Sequence, residues 1–576
     1  MNLMTKTDFK DLANFSRNAS GSIVSAGETA RKNRLLDEIV PRRGAENHRA
    51  ALSHIHDLEF YDETYNCIGL NVADLIGRPR CSFPKALRRL FREITALTNR
   101  QSGGIGFLNF DADMAEFVLD VSDDEIRESL RDFFSDLNCA TRKGCEKPYI
   151  TFNFGLDVSP AGRRVSRGLL AAYLAGDDDG RPFVFPNLVF KLKREINFLE
   201  NAPNADLLSA AFDVTSRHMI PTYFNCDSSA NRSAPAEKIG VMGCRTRVVD
   251  NLFGEKSGLK RGNVACASVN LVQAALLSEG DPATFFRILG RVVDETRDVL
   301  LHRFETLCRK KDFSEISGKQ LYLGSESGGD TREILKNGTL AIGFIGLWDA
   351  LSVLFGKEWT DLEAMRPYRE SALRIVSFLR ERTDSMTREN GLNFSLLATA
   401  AEGLCGKCAE HDGKRFDHPV CRKGYYVNSF HVPVETRCDV FEKIEFEGAF
   451  HALCNGGSIS YVELSESPEG NAAAVEDLVR EAVKRDCNYF GVNFPLDVCK
   501  KCGHVGRTAE RCPRCGAASI LRLRRVSGYL AETDRFTKGK SAELAARISH
   551  GAFRKTETTA DKRLEKARDS AERKSC

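Results

Sequence analysis

Apolar positions along this chain fall into two alternating patterns. Short uninterrupted runs, such as Tyr149-Ile-Thr-Phe-Asn-Phe-Gly155 and Phe183-Val-Phe-Pro-Asn-Leu-Val-Phe190, have the length and aromatic content of buried strands. Between them lie stretches such as 285–307, where apolar residues recur every three or four positions and predict amphipathic helices. From about Leu52 to Asn493 no linker, low-complexity tract or repeat interrupts this alternation. The pattern predicts an α/β architecture over residues 51–493, with a barrel among its forms. Residues 1–50 are polar and mixed in charge, with the basic pair Arg42-Arg43, and are read as a weakly ordered helical lead-in.

Near the C-terminus the character changes. Residues 497–516 are rich in Cys, Gly and Arg, and the apolar-basic stretch Ile520-Leu-Arg-Leu-Arg-Arg-Val526 follows. Beyond Asp534 basic residues outnumber acidic ones with helical spacing, which reads as a solvated, charge-laced helix. The division expected is 1–50 lead-in, 51–493 α/β body, 494–520 cysteine module and 521–576 C-terminal loop and helix.

The charge balance narrows the function classes. The 576 residues hold 83 Lys+Arg against 80 Asp+Glu, a net +3, so the electrostatic footprint of a nucleic-acid binder is missing. The longest candidate for a membrane span, Leu340 to Phe355, is interrupted by Asp349 and falls short of the ~20 apolar residues required. The N-terminal sequence has no apolar signal-peptide core. A cytoplasmic protein is expected, with no membrane and no direct nucleic-acid partner.

The nineteen cysteines change the picture. An odd number without an export signal argues against a disulfide framework and towards packing, metal ligation or redox chemistry. Four of them have metal-site spacing: Cys499-x2-Cys502-x9-Cys512-x2-Cys515. Each pair sets two thiolates on one side of a tight turn, and Gly503 and Gly516 let backbone amides approach the sulfurs. Two such knuckles form a closed S4 site suited to Zn2+, structural because no position is left for water. Iron–sulfur ligation and a nucleic-acid-binding zinc ribbon remain alternatives at this point. Cys405-Gly-Lys-Cys408 is a further CxxC, read either as a redox pair or as incidental cysteines at a helix end.

Just beyond the knuckles stands Arg524-Arg-Val-Ser-Gly-Tyr-Leu530. Taken alone, Ser-Gly-Tyr is a turn with Gly528 in a left-handed conformation. The longer string resembles the radical loop of glycyl radical enzymes, and within them the anaerobic (class III) ribonucleoside-triphosphate reductases, whose four-cysteine zinc site also precedes the loop. Landmarks in the same order extend the resemblance from His54 onward. They include Ile55-His-Asp-Leu58, Tyr65-Asn-Cys67, Met242-Gly-Cys-Arg245, Gly262-Asn263, Asn337-Gly-Thr-Leu340 and Ser429-Phe-His-Val-Pro433.

The resemblance implies a ten-stranded α/β barrel with a C-terminal zinc ribbon and radical loop. It implies a radical on Gly528, a thiyl on Cys244, a redox and hydrogen-donor role for Cys67, and an Asn263 that hydrogen-bonds the ribose. Formate is the implied reductant, dNTP or ATP the effectors, a radical-SAM 4Fe–4S activating protein the partner, and a homodimer the assembly. His56 and His431 are candidates for substrate contact, and Asn455, Gly456 and Gly457 for cradling a phosphate through backbone amides. Only about 50 residues precede His54, so the regulatory ATP cone of many members is expected to be absent. The alternatives are another glycyl radical enzyme, of formate-lyase or dehydratase type, and a zinc-ribbon nucleic-acid-binding protein. Formate-lyases carry two adjacent cysteines, and this chain has none.

Overall fold

The computed structural model describes residues 19–78, 81–141 and 146–551. Cys145, Cys576 and the tail from 552 onward lie outside the described residues. The strands, in chain order, are β1 (Ser53–Ile55), β2 (Ile68–Leu70), β3 (Ile105–Phe107), β4 (Ile150–Phe154), β5 (Asn187–Leu192), β6 (Thr222–Asn225), β7 (Asn263–Asn270), β8 (Thr339–Ile345), β9 (Asn393–Ala398), β10 (Ser460–Glu463), β11 (Tyr489–Asn493), β12 (Leu496–Cys499), β13 (Ile520–Arg525) and β14 (Leu530–Glu532). The apolar run at 183–190 becomes strand only from Asn187, immediately after Pro186, which has no N–H to give a ladder.

Three sheets result. One has the order β10-β11-β6-β5-β4-β3-β2, a second β1-β7-β8-β9, and a third β12-β13-β14. Strands β2 to β6 pair in parallel in sequence, as do β7 to β9. Helices cover the outer faces, so most of these strands are buried on both sides and read as near-continuous apolar runs. The α/β expectation holds, but the closed ten-stranded barrel does not. Among the described residues, the β-pairing between the two large sheets is limited to isolated bridges, Gly69 with Arg261 and Leu397 with Gly457. Lys260 and Gly457, at these two seams, have φ of +55° and +124°, which no continuous ladder accommodates.

From Ala19 onward the lead-in is docked. Helices Ala19–Glu38 and Arg42–Arg49 and the turn between them bury Leu35, Leu36, Val40 and Ala45 against Ile55, Leu58, Tyr61 and Val299. Val299 belongs to the 27-residue helix Pro282–Cys308, whose buried residues recur at the predicted spacing and whose Asp281 cap accepts the Thr284 amide. The C-terminal helix Lys538–Ala546 is not solvated as expected. Its Lys540 and Glu543 are buried and paired at 2.8 Å, and Arg547 bonds Glu543 at 3.0 Å. Among the described residues no helix is long and apolar enough to cross a membrane.

Between β6 and β7 the chain makes a long excursion that threads between the two large sheets. The polar residues of β4 exist to hold it. Asn153 donates to the Val241 carbonyl at 2.9 Å and accepts the Val241 amide at 2.8 Å, and the Thr151 hydroxyl donates to the Gly243 carbonyl at 2.9 Å. Glycines clear the path: a Cβ on Gly106 would lie 2.7 Å from the Val241 oxygen, and one on Gly104 2.8 Å from Gly243 Cα. Asn153→Leu would leave the Val241 N–H and C=O buried and unsatisfied at roughly 1–3 kcal/mol each. Denaturant unfolding should report a loss of about 2–5 kcal/mol, with faster amide exchange confined to the excursion.

Candidate active site

The tip of the excursion is a tight turn. Met242 N donates to Thr246 O at 2.9 Å, which leaves Cys244 at the apex. Arg245, buried beside it, anchors the turn to the end of β9 by donating to the Ala398 and Thr399 carbonyls at 3.3 and 3.4 Å. A second tip approaches from the C-terminal sheet. Arg525 and Leu530 are the last pair of the β13–β14 ladder, so Val526–Tyr529 is a four-residue hairpin loop, closed by Val526 N to Tyr529 O at 3.0 Å. Tyr529 stacks on Phe185 and meets Tyr149 edge-on, and Val526 packs in the same apolar cluster.

The two tips touch. A Cβ on Gly528 would lie 2.1 Å from the Cys244 carbonyl oxygen and 2.4 Å from its Cα and Cβ. Gly528 is not in the left-handed region. The turn stands, but the left-handed reading is replaced by a steric one: glycine stands at 528 because no side chain fits against Cys244.

A cavity opens beside Cys244 and is lined by it together with Cys67, Asn263 and His56. Asn66 and Cys67 donate their amides to the Asn263 carbonyl at 3.0 and 3.2 Å, which ties the start of β7 to the approach to β2. The Thr339 hydroxyl donates to Asn263 Oδ1 and so fixes the orientation of the amide. His56 Nε2 shares a hydrogen bond with Ser268 Oγ at 2.7 Å, and Ser268 continues to Thr399 at 2.7 Å.

Several lining residues escaped the sequence reading. The Cys67 thiol donates to Asn66 Oδ1 at 2.6 Å, and Asn66 in turn donates to Ser102 and to the buried Asp57 carboxylate. Asn66 was legible only as the neighbour of Cys67. His48 and His54 stack at 4.9 Å, and burial, reinforced by His56 and His48, holds His54 well below the usual imidazole range. Lys32, Lys407, Tyr149 and the segment Thr399–Leu404 complete the wall, Lys32 and His48 coming from the docked lead-in.

With this geometry in hand, the comparisons are decisive. The sequence profile of anaerobic ribonucleoside-triphosphate reductase matches residues 11–550. The chain belongs to the anaerobic ribonucleoside-triphosphate reductase family. It is 30% identical over 571 residues to the reductase of Escherichia coli (strain K12), covering 89% of this chain and 79% of that one. To the reductase of Enterobacteria phage T4 it is 25% identical over 618 residues, covering 95% and 98%. Its fold resembles the anaerobic ribonucleotide reductase from Thermotoga maritima in complex with dATP and CTP, with a TM-score of 0.69, 20% identity and coverage of 91% and 92%. The B12-independent glycerol dehydratase from Clostridium butyricum shares the fold alone, with a TM-score of 0.53 and 12% identity over 92% of this chain and 73% of that one.

Not every candidate residue of the reductase joins the cavity. The His431 ring donates from Nε2 to the Ile459 carbonyl at 2.7 Å, in a buried region behind the hairpin tip. Asn455, Gly456 and Gly457 are not a phosphate cradle: the Gly456 amide donates to Leu396 O at 2.8 Å and the Gly457 amide to Cys454 O at 3.1 Å. The Asn455 side chain accepts from the Leu396 amide at 2.9 Å, so this turn stitches β9 to the chain before β10. Cys405 and Cys408 lie on the buried face of helix Leu404–Asp412, bonding Asn428 and the Ala51 carbonyl, and burial pushes the Cys405 thiol well up.

Cys499, Cys502, Cys512 and Cys515 do converge, all four sulfurs lying within 4.8 Å of one another. The Cys499–Cys515 and Cys502–Cys512 separations of 3.5 and 3.6 Å suit tetrahedral ligation at about 2.3 Å per Zn–S bond. Gly503 and Gly516, at φ of +69° and +72°, return their amides to the Cys499 and Cys512 carbonyls. Cys499 ends β12, which pairs with β13, so the knuckles sit at the base of the hairpin that carries Gly528.

Because a methyl group at 528 has no room, Gly528→Ala should push the hairpin tip away from Cys244. A destabilisation of about 1–3 kcal/mol is expected from overpacking. Hydrogen exchange should quicken at residues 526–530 and leave the β4 and β7 amides unchanged.

Proposed function

We propose that the chain reduces ribonucleoside triphosphates to 2′-deoxyribonucleoside triphosphates in the absence of oxygen, by radical transfer from Gly528 to Cys244. The supporting observation is the contact between the two: a glycine backbone pressed against a cysteine, at the wall of a cavity that also holds a second cysteine and a fixed amide. A radical on Gly528 Cα is spread over the adjoining amide and carbonyl, and it takes the hydrogen of the Cys244 thiol. The Cys244 thiyl removes the ribose 3′ hydrogen, and the 2′ hydroxyl leaves with a proton as water. Cys67 delivers hydrogen to C2′. Formate is oxidised to CO2, its two electrons reduce C2′, the 3′ hydrogen returns from Cys244, and the radical returns to Gly528.

The surroundings support this assignment. Asn263, oriented by Thr339, offers its amide to the ribose hydroxyls, and His56 faces the same space. The polyphosphate is assigned to the start of helix Leu404–Asp412, where the amides of Gly403 and Leu404 attract anions and Lys32 and Lys407 add positive charge, the Glu402 carboxylate being engaged by Ser527 and Tyr529 instead. Cys499, Cys502, Cys512 and Cys515 would hold a structural zinc that cross-links the hairpin base. A radical-SAM activating protein with a 4Fe–4S cluster generates the radical, the chain works as a homodimer, and dNTP or ATP set its substrate choice.

The test is an anaerobic assay with activating protein, a ribonucleoside triphosphate and labelled formate. Labelled CO2 should appear with deoxynucleotide, and a doublet electron-spin signal should be lost in Gly528→Ala. Cys244→Ser should keep that signal and nucleotide binding yet form no product. Deoxynucleotide formed by Cys244→Ser would overturn the reading. Elemental analysis should find about one zinc per chain, and Cys512→Ser should lose it together with thermal stability.

A further inference from the structure

The hairpin tip carries two side-chain hydroxyls, one on each side of Gly528, and both go to the same carboxylate. Ser527 Oγ donates to Glu402 Oε1 at 3.1 Å, and Tyr529 OH donates to Glu402 Oε2 at 2.8 Å. Ser527 and Tyr529 are 2% and 1% exposed and Glu402 is half-buried, and bonds from hydroxyls to a carboxylate are of the stronger, charge-assisted kind. Two further bonds to the tip use its backbone: Tyr461 OH donates to Ser527 O, and Arg525 Nη1 to Gly528 O at 3.4 Å. Glu402 also lines the cavity with Cys67, Cys244 and Asn263. The helix it precedes meets the C-terminal helix at a glycine contact, where a Cβ on Gly406 would lie 2.7 Å from Gly539 Cα.

We infer that Glu402 is a positioning residue: a two-pronged clasp that holds Gly528 in register against Cys244, without touching the reacting atoms, from a segment that forms part of the nucleotide cavity. The geometry explains why an acid stands between strand β9 and the helix. A carboxylate offers two acceptors at once, whereas an amide offers one acceptor and a donor that neither hydroxyl needs. Hydrogen transfer between Gly528 and Cys244 depends steeply on their separation, so loosening one prong lowers turnover rather than binding. The clasp also gives the cavity a route to the radical loop: a nucleotide that immobilises Thr399–Leu404 immobilises the tip. The turnover part of this inference rests on the proposed radical function; the seating of the tip does not.

Two measurements separate these parts. Hydrogen exchange on the full, unactivated chain reads the tip directly. Glu402→Gln and the double variant Ser527→Ala/Tyr529→Phe should each speed exchange at residues 526–530 by about tenfold, of the size expected for losing a charge-assisted bond. Combining all three substitutions should add no more, because the groups form one unit. Unchanged exchange in Glu402→Gln, or fully additive effects, would overturn the clasp. In the activated enzyme, Glu402→Gln should lower kcat by about two orders of magnitude, the scale of an ångström misplacement. The radical signal and KM should stay near the parent values, and Glu402→Asp should recover part of the rate. A raised KM with unchanged kcat would instead make Glu402 a substrate ligand and sink the positioning role. An absent radical in the parent chain would overturn the proposed function and leave the exchange result standing.

Discussion

Contact between the Gly528 backbone and Cys244 constrains most of what surrounds it. Two chain segments far apart in sequence must bring their tips together inside the protein, and neither can bring a bulky side chain to the meeting point. Gly243, Gly104 and Gly106 let the Cys244 turn slide between strands. Backbone buried this way must find hydrogen-bond partners or lose stability. Thr151 and Asn153 supply them for the Cys244 turn, and Arg525 and Tyr461 do so for the Gly528 tip. These polar residues look out of place in an otherwise apolar core until the two tips are seen.

The two open sheets follow from the same demand. A barrel sealed by continuous ladders would be filled by its own side chains, as small barrels are. Here the interior is occupied by backbone, and the seams at Gly69–Arg261 and Leu397–Gly457 are single bridges. Each seam lies beside the site: Asn263 follows Arg261, and the Thr399–Leu404 segment follows Leu397. The seams therefore place functional loops where unpaired backbone is available, and helices Ala19–Glu38 and Arg42–Arg49 bring Lys32 and His48 to the same wall.

The C-terminal module ties the site to the surface of the fold. The cysteine knuckles, the β13–β14 hairpin and the Lys538–Ala546 helix are joined by strand pairing and hydrogen bonds. Arg547 donates to the Arg525 carbonyl at 3.1 Å and pairs with Glu463 at 3.3 Å, which joins the helix to the hairpin and to β10. Buried ion pairs of this kind fix geometry more than they add net stability.

Local order determined a great deal of this protein from sequence alone. The strand and helix periods predicted the α/β class, the CxxC spacing located the four sulfurs, and the string around Gly528 marked the hairpin tip. These features need only near neighbours in the chain, so residue order encodes them. What remained illegible depends on distant segments. Nothing in Cys244-Arg245 or Ser527-Gly-Tyr529 states that they touch, that Glu402 stands between the hydroxyls, or that the Gly456 and Gly457 amides are already engaged. The family resemblance implied a ten-stranded barrel, and the charge pattern a solvated C-terminal helix. Topology decided otherwise, because burial and hydrogen-bond satisfaction are settled only when every segment has found its neighbour.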